Sequence, residues 1–265
     1  MTAIFFITGL IIGSFLNVVV YRLNLVESVS GRSHCPYCKK KIRWYDNVPI
    51  LSFIILGTKC RDCGEKISWQ YPLLEMTTGV AFAFTGNYFF MLSNPISWIE
   101  TLFYLVIFSL LLVIFTYDLK FMEIPMIILW IAVGWTIIYF LFADWVSFNP
   151  QLGIMSLNIF SGAIGGGVAF LFFFILVSVS REKWMGMGDA YLALLIGLVL
   201  GWPKILFALM IAFTVGAIVG IILISVKKKT MKSQIPFAPF MVIGAVVTIF
   251  ILQSLPYIKY LLWYY

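Results

Sequence analysis

Eight apolar stretches restrict the fold of this chain more than any other feature of its sequence. A run of about 18 or more apolar residues can cross the hydrocarbon core of a bilayer as a helix. Only helices and closed barrels satisfy every backbone group there, and the runs here are continuous and not alternating, which excludes a barrel. The sequence therefore predicts an all-α polytopic membrane protein with about eight transmembrane helices, over residues 2–21, 73–92, 98–117, 124–142, 153–179, 189–202, 204–226 and 237–254.

Composition agrees with this class. Hydrophobic residues make up 62% of the chain and charged residues 11%, whereas a soluble domain has roughly 25% charged residues. The stretch 189–202 is short for a full crossing, so we expect it to tilt little, to thin the bilayer or to begin in a sheltered cavity. The first stretch lacks a preceding basic segment and a small-residue cleavage site, and is predicted to stay attached as a helix.

The basic residues orient the predicted bundle. If the amino terminus lies outside, sixteen of the eighteen lysines and arginines fall in inner loops, and only Lys204 and Lys259 remain outside. Such an excess of positive charge is typical of the cytoplasmic side. The net charge of +7 is therefore attributed to topology and to contact with anionic lipid, and binding to nucleic acid is not expected.

Between the first two predicted spans lies the one long hydrophilic insertion, which divides the chain into residues 1–21, 22–72 and 73–265. The insertion holds all four cysteines as two C-x2-C pairs, Cys35 with Cys38 and Cys60 with Cys63. Two such pairs can supply four thiolates to one tetrahedral Zn²⁺. Disulfides or redox thiols are the alternative, but a reducing cytoplasm disfavours disulfides. His34, the only histidine, is expected to be a solvated loop residue and not a ligand.

Two acidic residues stand apart from the remaining nine. Most of those nine are interpreted as ordinary solvated or ion-paired charges in loops, namely Glu27, Asp46, Asp62, Glu65, Glu100, Asp144 and Glu182. Counting crossings, the third predicted span runs inward and ends at Asp118, while the sixth begins at Asp189 and runs outward. Both side chains are thus predicted at similar depth on the inner face. An ionisable group at a membrane span indicates a functional site by default. Gly186 and Gly188 flank Met187 just before Asp189, and we expect them to let the backbone turn tightly and expose that carboxylate.

Paired carboxylates suit amide hydrolysis without a metal or a covalent nucleophile. Two nearby carboxylates share one proton, so the ionised member can take a proton from water while the other polarises a carbonyl. A single histidine excludes an H-E-x-x-H zinc protease. Two alternatives remain open at this point: Asp118 and Asp189 are solvated residues paired with Lys120 or Lys183, or they belong to a proton-coupled transporter.

The order of several short motifs resembles the type IV prepilin peptidases, a family of aspartic leader peptidases. Those motifs are Gly13–Arg22, the paired cysteines, Trp44–Pro49, Tyr71–Glu75, Asp118 followed by Ile124-Pro125, Gly186–Asp189 and Ile235–Phe240. A presenilin-like or signal-peptide-peptidase-like protease also pairs Tyr-Asp with Gly-x-Gly-Asp, but the Pro-Ala-Leu element expected of that class is absent.

The resemblance implies a bacterial inner-membrane enzyme in which Asp118 and Asp189 are the catalytic pair. Its implied partners are prepilins and pseudopilins of pilus, secretion or DNA-uptake systems, whose short basic leader it removes. Members with the cysteine loop also methylate the new amino terminus with S-adenosylmethionine, so residues 22–72 would be the methyltransferase-associated part, shaped by a structural Zn²⁺, and 73–265 the peptidase core. The residues that bind S-adenosylmethionine are unassigned, and the oligomeric state is left open.

Two positions depart from the family pattern. Tyr191 stands where members often have a lysine, and Ala238 where glycine is frequent. Asn17 and Glu75, which lie in the resembling motifs, are interpreted as buried polar contacts, and a lining or substrate role for each is the alternative.

Overall fold

The computed structural model describes residues 1–147, 157–226 and 235–254, with side chains as far as Ile251. These residues form nine α-helices and one short 3-10 helix. In chain order, the elements are α1 (Thr2–Leu25), η1 (Trp44–Asn47), α2 (Leu51–Ile55), α3 (Gln70–Phe89), α4 (Pro95–Phe121), α5 (Met126–Val146), α6 (Asn158–Ser180), α7 (Met187–Leu200), α8 (Lys204–Ser225) and α9 (Ala238–Ser254). The predicted all-α class is confirmed.

Each predicted span coincides largely with one helix, although residues 153–156 lie outside the described part of the chain. Five helices, α1, α4, α5, α6 and α8, are long and apolar enough to cross a membrane. This makes the chain a multi-pass membrane protein. Helix α3 is less apolar, and α7 and α9 are shorter apolar helices. The count of eight crossings therefore stays a prediction.

The chain divides into two compact units, Met1–Thr116 and Tyr117–Tyr265. In the first unit, α1 and α3 pack side by side in an antiparallel sense through small residues. A Cβ atom built on Gly9 would lie 2.7 Å from the Cα atom of Gly79, and one built on Gly13 would lie 2.7 Å from the Cα atom of Glu75. The two backbones approach so closely that a side chain at either glycine of α1 would push the helices apart.

Buried polar side chains of the first unit find partners within it, as interpreted from the sequence. The Asn17 side-chain amide donates to the Tyr71 carbonyl oxygen at 3.2 Å, and the Glu75 Oε2 atom accepts from the Ile50 N–H at 2.8 Å. Arg22 is also buried. Its guanidinium donates to a run of carbonyl oxygens that lead toward the first cysteine pair, namely those of Ser28, Ser30, Gly31 and Arg32.

In the second unit, α6 and α7 pack closely through glycines. A Cβ atom on Gly165 would lie 2.7 Å from the Gly197 carbonyl oxygen, and one on Gly166 would lie 2.9 Å from the Leu194 carbonyl oxygen. Gly167, by contrast, faces open space. Two of the three consecutive glycines in α6 thus serve close helix packing. Packing explains a glycine run inside a membrane helix better than a phosphate-binding loop would.

Asp144 is a buried acid with a clear structural task. The sequence suggested an ordinary solvated or ion-paired charge, but the side chain is buried near the end of α5. Its Oδ1 atom accepts from the backbone N–H and side-chain amide of Asn158, both at 2.8 Å, and its Oδ2 atom accepts from the Ile159 N–H at 2.9 Å. These N–H groups open α6 and have no intrahelical partner. Asp144 therefore caps α6 from a neighbouring helix.

We expect Asp144→Ala to destabilise the second unit by about 1–3 kcal/mol, because two backbone donors at the start of α6 lose their acceptor. Thermal unfolding of the purified protein in detergent would measure the change. Glu27→Ala is the control, since Glu27 is exposed. Equal unfolding temperatures for the two variants would contradict the capping role.

Candidate active site

Asp118 lies in the last turn of α4 and is only 5% exposed. Its carboxylate accepts a hydrogen bond from the backbone N–H of Ala238, the first residue of α9. The Oδ2 atom is buried and has no hydrogen-bond partner among the described residues. Buried polar atoms are almost always satisfied in native proteins, so an exception at a carboxylate indicates a functional atom.

Asp189 lies in the first turn of α7, whose N-cap is Gly186. The backbone N–H of Asp189 donates to the Gly186 carbonyl oxygen at 3.1 Å, and the Asp189 carboxylate accepts in return from the Gly186 backbone. This reciprocal pair is the acidic half of a capping box. The start of α7 thereby fixes the position of the Asp189 side chain.

The two carboxylates converge within the second unit. The charge of Asp118 acts directly on Asp189. Neither acid forms an ion pair with a lysine or arginine among the residues that the structure describes. Lys120, one of the two partners suggested by the sequence, instead lies 5.3 Å over the ring of Phe121. The structure thus brings together the two acids that the count of crossings placed on one face.

The glycines around Met187 act differently from the sequence prediction. Gly186 has an extended backbone with φ −85° and ψ 162°, which any residue adopts, and Gly188 lies inside α7. Neither glycine has a positive φ, so the turn into α7 does not depend on the conformational freedom of glycine. Gly188 is needed for another reason: a Cβ atom there would lie 3.2 Å from both the Cβ and Cδ1 atoms of Ile124. A Cβ atom on Gly186 would meet nothing closer than 4.0 Å.

The two positions that depart from the family pattern both have structural partners. The Tyr191 ring lies 5.7 Å from the ring of Trp130 and 5.7 Å from that of Phe170. It is therefore part of an aromatic cluster with these two rings. Ala238 is fully buried and supplies the N–H that holds Asp118. No local sequence pattern predicts that hydrogen bond, because it joins residues 120 positions apart.

The four cysteines of the first unit form one cluster. Their sulfur atoms all lie within 4.8 Å of one another, and the Cys35 and Cys63 sulfurs are 3.9 Å apart. Four thiolates around a tetrahedral Zn²⁺ with bonds of about 2.3 Å would be separated by about 3.8 Å. All four are free thiols. The donor set and its spacing fit a metal ion, and His34 is not among the clustered ligands.

The two cysteine pairs have the same backbone geometry. The Cys35 N–H donates to the Lys40 carbonyl oxygen at 3.0 Å, and the Cys60 N–H donates in the same way to that of Glu65 at 2.8 Å. Lys39 and Gly64, at equivalent positions, both have positive φ values, of 59° and 73°. Each pair is thus a tight knuckle whose backbone turns around the sulfurs.

The second knuckle favours a thiolate at one sulfur. Hydrogen bonds from the backbone of Cys63 and Asp62 lower the pKa of Cys60 from 9.0 to about 7. The backbone of Glu65 also acts to lower the pKa of Cys63, but desolvation and the neighbouring thiols outweigh it and raise that pKa to about 12. Cys60 therefore ionises more readily than Cys63, and a bound cation would be needed to hold four thiolates together.

Charged side chains attach the second knuckle to its surroundings. Arg61 donates from Nε and Nη2 to both carboxylate oxygens of Asp46 in η1, the shortest contact being 2.6 Å. The Arg61 hydrogen bonds lower the pKa of Asp46. Lys40 of the first knuckle pairs with Asp62 of the second at 3.4 Å. Asp46 and Asp62 are thus ion-paired, as one of the two interpretations from the sequence held.

Comparison with known proteins relates both units to described families. Residues 7–89 match the bacterial peptidase A24 N-terminal domain, and residues 105–221 match the type IV leader peptidase family. No solved structure matches the chain.

Proteins named prepilin leader peptidase/N-methyltransferase are similar over most of the chain. One from Bacillus subtilis is 31% identical over 93% of this chain and 92% of its own length. One from Vibrio cholerae is 35% identical over 75% of this chain and 77% of its own length. One from Myxococcus xanthus is 34% identical over 83% of this chain, which spans 62% of that relative's length. The chain belongs to the type IV leader peptidase family.

Proposed function

We propose that this protein is a membrane aspartic endopeptidase that removes the short basic leader from type IV prepilins and pseudopilins. Asp118 and Asp189 are its catalytic pair. The observation that carries this proposal is the convergence of the two carboxylates, one of which keeps a buried oxygen without a partner. The names of the relatives support the class of substrate.

The pair acts as a general base and a general acid in one unit. With one proton shared between them, the ionised carboxylate takes a proton from a water molecule, whose oxygen then attacks the scissile carbonyl carbon. The protonated carboxyl group donates its proton to the carbonyl oxygen. As the tetrahedral intermediate collapses, the C–N bond breaks and the protonated carboxyl group gives its proton to the new amine, while a hydroxyl group of the intermediate returns a proton to the other carboxylate. The pair ends with the single proton with which it began.

A second activity, methylation of the new amino terminus, belongs to the same proposal. The names of the relatives include an N-methyltransferase activity. S-adenosylmethionine would supply the methyl group, which is transferred to the amine nitrogen as that nitrogen loses a proton. Residues 22–72, in the first unit, are the proposed methyltransferase-associated part, and residues 73–265 the proposed peptidase core.

The four cysteines are proposed to hold one structural Zn²⁺. Cys35, Cys38, Cys60 and Cys63 offer four sulfurs at a suitable spacing. The ion would join the two knuckles, so its binding would stabilise the folded loop.

The proposed setting is the inner membrane of a bacterium, with the amino terminus outside and the cysteine loop and catalytic pair on the cytoplasmic side. The excess of lysine and arginine in the inner loops supports this orientation. A substrate whose basic leader stays in the cytoplasm would then meet the pair at the membrane surface. Assembly of pili, type II secretion and DNA uptake are the systems that use such substrates.

We expect Asp118→Asn and Asp189→Asn each to lower leader cleavage at least about a hundredfold, because an amide cannot exchange the proton that the mechanism needs. The assay incubates the protein in lipid with a candidate prepilin and measures the loss of leader mass and the gain of a methyl group. Glu123→Gln is the matched control, since Glu123 is an exposed acid five residues from Asp118. Cleavage by either Asp variant at the wild-type rate would contradict the catalytic pair.

Gly188→Ala is expected to reduce cleavage about tenfold or more, because the new methyl group meets Ile124 and displaces the start of α7, which carries Asp189. Gly186→Ala is the control and should keep most of the activity, since its methyl group enters open space. Adding Ile124→Ala to the Gly188→Ala variant should restore part of the rate. Equal activities of the two glycine variants would show that contact with Ile124 does not position Asp189.

Cys60→Ser is expected to lose bound zinc and to weaken methylation, because three sulfurs hold the ion less tightly than four. Metal analysis of protein purified without oxygen should find about one zinc per chain in the wild type. His34→Ala should keep its zinc, since the ring of His34 packs at 5.9 Å from that of Tyr21 and is not in the cluster. Wild-type protein that carries no metal would argue against the zinc site.

A further inference from the structure

The short helix α2 presents an apolar face that nothing in the described protein covers. Leu51, Ile54 and Ile55 are 58%, 66% and 76% exposed, respectively. Phe53, on the other side of the helix, is buried. Three neighbouring aliphatic side chains at this exposure are unfavourable in water, and they mark either an interface or contact with lipid.

Contacts with α3 fix the depth at which the start of α2 lies. The Ile50 N–H, just before α2, donates to Glu75 of α3, and Glu75 packs directly against Gly13 of α1. Gly13 is near the middle of α1, nine residues before the first charged residue, Arg22. At 1.5 Å per residue, that is about 13 Å into the apolar part of the helix. The start of α2 is thus level with a segment of α1 that crosses the membrane.

The other side of α2 is held at a similar level. The ring of Phe53 packs at 5.0 Å against that of Trp69, which immediately precedes α3. Asn17 of α1 bonds to Tyr71, so this end of α3 lies beside the apolar part of α1. The first knuckle lies further out, because the Lys39 Nζ atom is 3.2 Å from the hydroxyl of Tyr21 at the polar end of α1.

Apart from the Ile50 N–H, which donates to Glu75, the backbone N–H groups around α2 donate to carbonyl oxygens of the same segment. The N–H groups of Ser52, Ile54 and Leu56 donate to nearby carbonyl oxygens, as do those of Gly57 and Thr58. The Ser52 hydroxyl donates to the Val48 carbonyl oxygen at 2.6 Å. Such local satisfaction is required of backbone that leaves water.

We propose that α2 is a membrane-embedded anchor that fastens the cysteine loop to the bilayer, with Leu51, Ile54 and Ile55 in contact with lipid acyl chains. Lys59 and Lys66 follow α2 and are exposed, and their backbones lie side by side in an antiparallel bridge. Their charges suit anionic headgroups at the membrane surface. The loop is therefore not a freely solvated insertion, and this conclusion stands whether or not the protein cleaves prepilins.

A photo-cross-linking amino acid tests which molecule covers α2. p-Benzoylphenylalanine is placed at position 54 or 55 of the full-length protein in nanodiscs of phosphatidylethanolamine and phosphatidylglycerol, and mass spectrometry identifies the adducts after illumination. Tyr37, in the first knuckle and 67% exposed, is the control position because it is already aromatic and lies on the part of the loop held near Tyr21. We expect lipid adducts several-fold more abundant at positions 54 and 55 than at position 37.

Two other outcomes would overturn the anchor. Adducts mainly with a second copy of the chain would make the face of α2 an interface between protein molecules. Equal and low lipid labelling at positions 37, 54 and 55 would place α2 in water. Size-exclusion profiles show which variants are folded, and two separate positions on α2 keep the test valid if one of them is not tolerated.

Discussion

Polar groups that a membrane protein carries out of water must find partners inside the protein, and this constraint explains most of the contacts described above. Asn17 and Glu75 are satisfied by backbone groups of the first unit, and Asp144 by the start of α6 in the second. The Oδ2 atom of Asp118 departs from the rule. Because leaving a buried oxygen unpaired costs about 1–3 kcal/mol or more, the cost is understandable where that oxygen has to accept a proton during a reaction.

Much of the fold follows from the sequence because the bilayer reduces the choice of structures. Continuous apolar runs identify membrane helices, and the structure has a helix at each of them. The cysteine cluster was equally predictable, since two C-x2-C pairs leave few arrangements other than a common ligand set. Counting crossings predicted Asp118 and Asp189 at the same end of the bundle, because successive membrane helices run in opposite directions.

Other features could not be predicted from the sequence, because they depend on which helices become neighbours. The task of Asp144 requires α6 to begin beside the end of α5, and no local pattern around Asp144 indicates this. Gly186 and Gly188 look alike in the sequence, yet only Gly188 faces a side chain, that of Ile124. Ala238 looked like a simple departure from a family glycine, but its backbone N–H holds Asp118. Contacts between distant segments are decided by packing, which a single sequence does not encode in a readable form.

The close packing of α1 against α3 has a consequence for the segment between them. Because glycines fix the register of the two antiparallel helices, the chain leaves α1 and re-enters α3 at neighbouring points that do not depend on what lies in between. Closing a longer or shorter connection between such fixed ends changes the loop entropy only slowly with length. The insert can therefore differ in length between the same two helix ends, as long as it still supplies the backbone partners of the buried Arg22 and Glu75 side chains.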